Sequence, residues 1–218
     1  RAVAEELARE GAQVALCARG EERLKQTASE IEKATGRPVY AEALDVTDGA
    51  RVAAFVEAVE KRFGRVDICV TNAGGPPSKT FLEISMEDWR KAVDLTLLSA
   101  VHFAREVLPR MKKNRWGRLV TITSMSVKQP VDGLLLSNSI RAAVTGLART
   151  LANEFGPHGI TVNNVCPGYT MTDRLNELVD KQARDAGVSQ EAIRQKWASQ
   201  IPLGRLAKPE EFAALVTF

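Results

Sequence analysis

Three short runs in this 218-residue chain gather the residue types that hold and orient a small polar ligand. They are Thr71-Asn72-Ala73-Gly74-Gly75, Thr123-Ser124 and Pro167-Gly168-Tyr169-Thr170-Met171-Thr172. Glycine and alanine let a ligand approach the backbone closely, an asparagine amide can pin a turn, and hydroxyls both donate and accept. Any one of these runs could be an ordinary loop. What joins them is position, because each follows an apolar, strand-like segment. In open α/β sheets ligands bind beyond the carboxyl ends of the strands, so three such ends along one edge predict a binding cleft. A metal site is not predicted. The chain has only two histidines, His102 and His158, and its three cysteines, Cys17, Cys69 and Cys166, form no CxxC.

The elements that must position these runs alternate in type. Ala2 to Glu10 reads as an amphipathic helix stopping at Gly11, and Val14 to Cys17 as a short strand. Glu21 to Thr35 is a charged helix ending at Gly36, and Val39 to Leu44 a strand running into Asp45. Arg51 to Phe63 is a helix ended by Gly64, followed by the apolar strand Val66 to Val70. Ser85 to Met111 holds a long helix that Ser85 and Asp88 can open with a capping box. Leu119 to Thr123 is a strand, Ser139 to Phe155 a helix closed by Gly156-Pro157, and Ile160 to Val165 a strand ending on Pro167-Gly168. Continuous apolar strands alternating with helices predict an α/β domain whose parallel sheet is covered on both faces.

The ends carry a further expectation. The first residues read as the middle of a helix and Pro209 to Phe218 as a helix that has not finished. In a doubly wound sheet the first strand is central. The single domain spanning 1–218 is therefore expected to lack an N-terminal strand with its glycine-rich turn, and a C-terminal strand.

Composition limits the partners. Hydrophobic residues make up 44% and charged residues 26%, enough for a core and a solvated surface. A net charge of +3, spread along the chain, argues against nucleic acid. No apolar run is long enough to cross a bilayer and no signal peptide opens the chain, so no membrane partner is expected. Three free, strand-associated thiols suit a reducing cytoplasm.

Several motifs, in order, resemble the short-chain dehydrogenase/reductases. Thr71 to Gly74 is similar to their Asn-Asn-Ala-Gly element, and Asp45-Val46 to their adenine-contacting Asp-Val. Trp116 to Ser124 resembles the strand leading to their catalytic serine, and Asn153 to Asn163 their helix-to-strand passage. Val165-Cys166-Pro167-Gly168 with Thr172 is similar to the loop around the nicotinamide. Ile201-Pro202-Leu203-Gly204-Arg205 with Pro209-Glu210-Glu211 resembles a late signature of the family. The resemblance covers essentially the whole chain and leans towards the 3-oxoacyl-acyl-carrier-protein reductase-like branch. It implies a three-layer α/β/α Rossmann fold with a doubly wound parallel sheet. It also implies an oxidoreductase that interconverts a carbonyl and a secondary alcohol, working as a homo-oligomer, a homotetramer by family habit. The cofactor would be held by Arg19, Asp45, Val46, Asn72, Ala73, Gly74, Arg141, Pro167, Gly168, Thr170 and Thr172.

The departures fall on the chemistry. The catalytic serine of the resemblance lands on Ser124, its tyrosine on Ser137, its lysine on Arg141 and its helix asparagine on Thr96. A serine hydroxyl at 137 is a poor acid or base unless something activates it. Arg141 can donate to ribose hydroxyls but stays charged and cannot shuttle a proton. Tyr169, in the nicotinamide loop, either supplies a phenol or shapes the pocket. At the second strand end of the resemblance, the usual acidic residue is Ala18, followed by Arg19. A missing carboxylate and an added guanidinium suit the 2′-phosphate of NADP over NAD; the alternative is a solvated surface cation. The charged stretch Asp173 to Gln200 either covers the substrate or is a surface hairpin. The altered residues keep a second reading open, a catalytically weakened dinucleotide-binding protein with a sensing or assembly role.

Overall fold

The computed structural model describes all 218 residues. Helix and strand alternate as α1 (Ala2–Arg9), β1 (Val14–Ala18), α2 (Glu21–Thr35), β2 (Val39–Ala43), α3 (Gly49–Phe63) and β3 (Ile68–Thr71). There follow α4 (Met86–Ala92), α5 (Ser99–Asn114), β4 (Gly117–Ile122), α6 (Leu135–Phe155) and β5 (Ile160–Val165). The chain closes with α7 (Asp173–Ala186), α8 (Gln190–Ala198) and α9 (Pro209–Thr217). All strand pairing is parallel and helices cover both faces, a three-layer Rossmann-like arrangement. No helix is long and apolar enough to cross a membrane.

Helix ends follow local rules. Gly36 and Gly64 close α2 and α3 in the left-handed conformation, at φ 69° and 83°, where a side chain would be strained. Asp48 caps α3 by accepting from the Ala50 and Arg51 amides, so that helix starts earlier than its apolar pattern suggests. The capping box expected of Ser85 and Asp88 is present at α4.

The strands form two hydrogen-bonded groups, β1-β2 and β3-β4-β5, and the break between β1 and β3 falls where a doubly wound order places its central strand. The main core nevertheless spans both, with Ala15 and Cys17 of β1 packed on the same cluster as Leu119 of β4 and Val162 of β5. Two expectations need correction. The long helix over 85–111 is interrupted, because Val93–Leu98 winds as a π-helical turn between α4 and α5. Helix α6 begins at Leu135, four residues before Ser139. Its first turn has no side-chain cap; the tie comes from the preceding loop, where Asn138 Nδ2 donates to the Val131 carbonyl at 2.9 Å.

A second core lies apart. Leu175, Val179 and Ala183 of α7 pack on Ile193 and Trp197 of α8 and on Leu206. The apolar spacing expected over 173–200 thus builds a helical hairpin with its own interior. A parallel bridge between Thr170 and Ala207 closes its base.

Candidate functional site

The carboxyl ends of β3, β4 and β5 converge. Beyond β4 the chain stays tied to β5: the Thr123 amide donates to Val165 O and the Met125 amide to Pro167 O, both at 2.9 Å. Ser124 and the Pro167-Gly168 turn therefore lie side by side. Ser124 Oγ accepts from the Ser126 amide at 3.1 Å, which leaves its own hydrogen free to donate.

Arg141 reaches the same place from α6. Its Nη1 donates to Ile122 O at 3.1 Å, two residues before Ser124, and its Nε donates to Ser137 Oγ at 3.2 Å. The two residues stand one helical turn apart, on one face. Arg141 is only 9% exposed and no carboxylate pairs with it. Burial lowers its pKa, and the charge that adds to this is a second cation, Arg174. Buried charges are normally paired or bound to a ligand. Arg141 has only neutral partners in this chain, a hydroxyl and a carbonyl.

Thr96 sits in the π-helical turn, a deformation often found at functional sites. Its Oγ1 is buried with no hydrogen-bond partner. It lines a cavity of about 10 Å³ together with Thr71, Ala73 and Arg141, room for about one water. The structure thus brings Thr96 and Arg141 to one cavity, with Ser137 bonded to Arg141 and Ser124 at the neighbouring strand end.

Next to this group opens a cavity of about 720 Å³, lined by Met125, Lys128, Val131, Gly168, Tyr169 and Leu203 among others. Tyr169 stacks on Trp197 with ring centroids 4.6 Å apart and planes at 7°. Burial raises its pKa. Both facts make it a wall of the cavity, the pocket-shaping alternative. The other tyrosine, Tyr40, donates to Glu42 at 2.7 Å and stacks on Phe55, away from these strand ends.

The adenosine end lies on β1 and β2. Asp45 Oδ1 accepts from the Thr47 amide and hydroxyl at 3.0 and 2.9 Å, forming an Asx-turn. Those bonds, with Arg19 nearby, hold its pKa below the ordinary value. Arg19 therefore sits within electrostatic reach of Asp45, beside the expected adenine contact, with Ala18 offering no competing carboxylate. Val46 is half-buried behind that turn and packs on the main core. Across the cleft Asn72 and Gly74 are exposed and Ala73 half-buried. A Cβ at Gly74 would meet nothing within 4 Å, so its outer side is open to a ligand. Thr170 bridges to Ala207, while Thr172 caps α7 by accepting from Leu175 N at 3.3 Å.

One residue escaped sequence reasoning. Arg174, in the first turn of α7, lays its guanidinium on the loop after β3. A Cβ on Gly75 would stand 3.2 Å from its Nε, and its Nη2 donates to Pro76 O at 2.9 Å. Within a charged run nothing marks it out; only the folding of α7 over the β3 loop does.

A family model described as enoyl-(acyl carrier protein) reductase matches residues 1–218. The 3-oxoacyl-(acyl-carrier-protein) reductase of Escherichia coli is 34% identical over 218 residues, covering 100% of this chain and 83% of that protein. An NADPH-bound short-chain oxidoreductase of Pseudomonas aeruginosa, described as containing an atypical catalytic center, superposes with a TM-score of 0.88 at 34% identity. The match covers 100% of this chain and 83% of that one. A variant of actinorhodin polyketide ketoreductase with NADPH superposes with a TM-score of 0.94 at 33% identity, covering 99% and 83%.

Proposed function

The chain belongs to the short-chain dehydrogenase/reductase family of oxidoreductases, and on that premise we propose that it is an NADP(H)-dependent enzyme interconverting a carbonyl and a secondary alcohol. The reading is 3-oxoacyl-acyl-carrier-protein reductase-like. The observation that carries it is the hydrogen bond from the buried Arg141 Nε to Ser137 Oγ, with the same guanidinium bonded to Ile122 O two residues before Ser124. It supplies the activation that a bare serine at 137 lacks.

NADPH fits the residues present: Arg19 at the adenosine end suits a 2′-phosphate, and the small residues Ala73 and Gly74 leave space along the cleft. When bound, it supplies the hydride that reduces a carbonyl carbon. Ser124 donates its free hydrogen to the carbonyl oxygen and orients it. Ser137 accepts from Arg141, so its own proton is also free to point at that oxygen. As the proton leaves Ser137, negative charge grows on Oγ next to a guanidinium that remains charged throughout. Arg141 stabilises and positions, its remaining donors would be available to hold the ribose hydroxyls, and solvent returns the proton to Ser137. Asn72, Pro167, Gly168, Thr170 and Thr172 frame the nicotinamide end, and Val46 backs the adenine.

The sensing or assembly alternative draws no support from relatives whose names describe reductases. A homotetramer is our expectation. The exposed small residues Ala142, Ala143 and Gly146 would let α6 approach a second copy closely; a monomer by light scattering at micromolar concentration would refute it. We place the protein in the cytoplasm, where Cys17, Cys69 and Cys166 stay reduced. The deciding experiment titrates NADPH and NADH into the protein and then follows NADPH oxidation over a panel of ketones, 3-oxoacyl thioesters and oxo acids. Tighter NADPH binding with turnover of at least one carbonyl class is expected. Binding without turnover of any class would remove the oxidoreductase assignment.

A further inference from the structure

We propose that the carbonyl compound this site takes is an oxo acid carrying a free carboxylate, and that Arg174 is the residue that selects it. The inference rests on the oxidoreductase reading and departs from its 3-oxoacyl thioester form, since such a thioester carries no free carboxylate.

Arg141 is nine-tenths buried, bonded only to a hydroxyl and a carbonyl, and without an acidic partner. Arg174 is the second cation acting on it. The carboxylates near the start of α7 are already engaged: Asp173 pairs with Arg23, and Glu177 with Arg174 at 3.0 Å. Across the larger cavity Glu211 is held by Arg205 at 2.6 Å. Two cations, the buried Arg141 and the partly exposed Arg174, thus share one carboxylate, Glu177, and a neutral ketone adds none. A carboxylate on the substrate would compensate the excess.

Geometry picks Arg174 rather than Arg141 as the carboxylate's partner. Arg141 is committed to Ser137 and the β4 backbone, so a ligand cannot take its Nε without breaking that pair. Arg174 is fixed at one edge by Pro76 O, and its flat face rests on Gly75. Its other edge is held only by Glu177, a mostly exposed partner three residues along the same helix. Such a surface pair is weak and exchanges at little cost for a ligand carboxylate. Gly75 has a role here too. A Cβ there would stand 3.2 Å from the guanidinium, which would have to shift slightly to admit it. The carboxylate is a handle, unchanged through the reduction; it orients the carbonyl towards Ser124 and Ser137.

The test compares 2- and 3-oxo acids with their methyl esters as oxidants of NADPH. The wild-type protein should favour acid over ester by at least about tenfold in kcat/KM, the scale of one charge-assisted contact. Arg174→Gln should lower that ratio by about the same factor. Lys181→Gln removes an exposed cation from the same helix and should leave the ratio as it is. Equal use of acid and ester, or preference for the ester, overturns the proposal. So does an Arg174→Gln protein that loses NADPH affinity as steeply as acid turnover, since the anion on Arg174 would then be a cofactor phosphate. If neither acids nor esters are reduced, the oxidoreductase reading fails separately, and malonate decides this one. It should raise the thermal midpoint of the NADPH complex in wild type but not in Arg174→Gln; no shift overturns it.

Discussion

The β1-β2 half and the β3-β4-β5 half of the molecule solve different problems with different materials. The first holds its candidate ligand contacts at the surface: Arg19 and Asp45 are exposed, and Asp45 is oriented by the two bonds from Thr47 within its own turn. The second leaves Asn72, Gly74, Gly168 and Thr172 exposed but buries two positions that depart from the family pattern: Thr96 is 5% and Arg141 9% exposed, each fixed by tertiary packing. Exposed contacts are cheap to fold and contribute affinity. Buried polar groups are costly to fold unless a ligand or a network satisfies them. The half that departs from the family pattern is therefore the half where each substitution had to be accommodated in three dimensions.

The sharpest way to break that contrast is at Arg141. Arg141→Met should cut kcat by at least about a hundredfold, the range seen when a preorganised charge stabiliser is removed. Its thermal midpoint should hold or rise, because replacing a buried ion with an apolar side chain is often neutral or stabilising. Steady-state kinetics beside a melting curve decides. Parallel losses of activity and stability would make Arg141 a structural residue. Ser137→Ala should cost about tenfold to a hundredfold in kcat with KM little changed, since the hydroxyl acts in the transition state.

The other half should respond in affinity alone. Arg19→Ala should weaken NADPH binding by about 1–3 kcal/mol and leave NADH little changed, as a lost charge-assisted contact to a 2′-phosphate would. Calorimetric titration of both dinucleotides measures it, and equal losses for the two would end the assignment. Tyr169→Phe should change kcat by less than about threefold, because the stack on Trp197 survives loss of the hydroxyl. A larger loss would revive the phenol as a proton donor.

The same contrast explains what could be read from sequence. Strand and helix order was legible because apolar period is local, and Gly36 and Gly64 stop helices by their own backbone freedom. The strand-end runs were legible because a parallel sheet puts ligands at its carboxyl edge whatever the packing. The break between β1 and β3 was legible too, because a doubly wound order puts its first strand there. The π-helical turn at Val93–Leu98 was not, since its residues suit an ordinary helix, nor was the early start of α6, secured by the Asn138 bond rather than a cap. Alignment of motifs placed Ser137 and Arg141 four residues apart. Only the fold puts the guanidinium against the hydroxyl, without a countercharge, and brings Arg174 onto the loop after β3.

The smallest expected effect compares one carboxylate from each half. Asp45 and Asp88 both titrate below the ordinary carboxylate value, for different reasons. Asp45 is held mainly by the amide and hydroxyl of Thr47. Asp88 is held at about 2, first by Lys79 at 2.9 Å and then by the amide and hydroxyl of Ser85. A folded pKa below the unfolded one contributes stability at pH above the unfolded value, and that stability is lost as pH falls through the folded value. For Asp88 the window runs from the ordinary Asp value, about 3.9, down to about 2. Lys79→Met should raise the Asp88 pKa while the Ser85 bonds keep it below the ordinary value. Asp45, on the other sheet, should not move. Carboxyl chemical shifts followed by NMR through that range report both residues at once. Asp45 is exposed and Asp88 lies at the surface against the part-exposed Lys79, so screening keeps the stability change small, and the direction at Asp88 against the constancy at Asp45 is what the titration reads. Movement of both would mean that the two halves share one electrostatic network across the gap between β1 and β3.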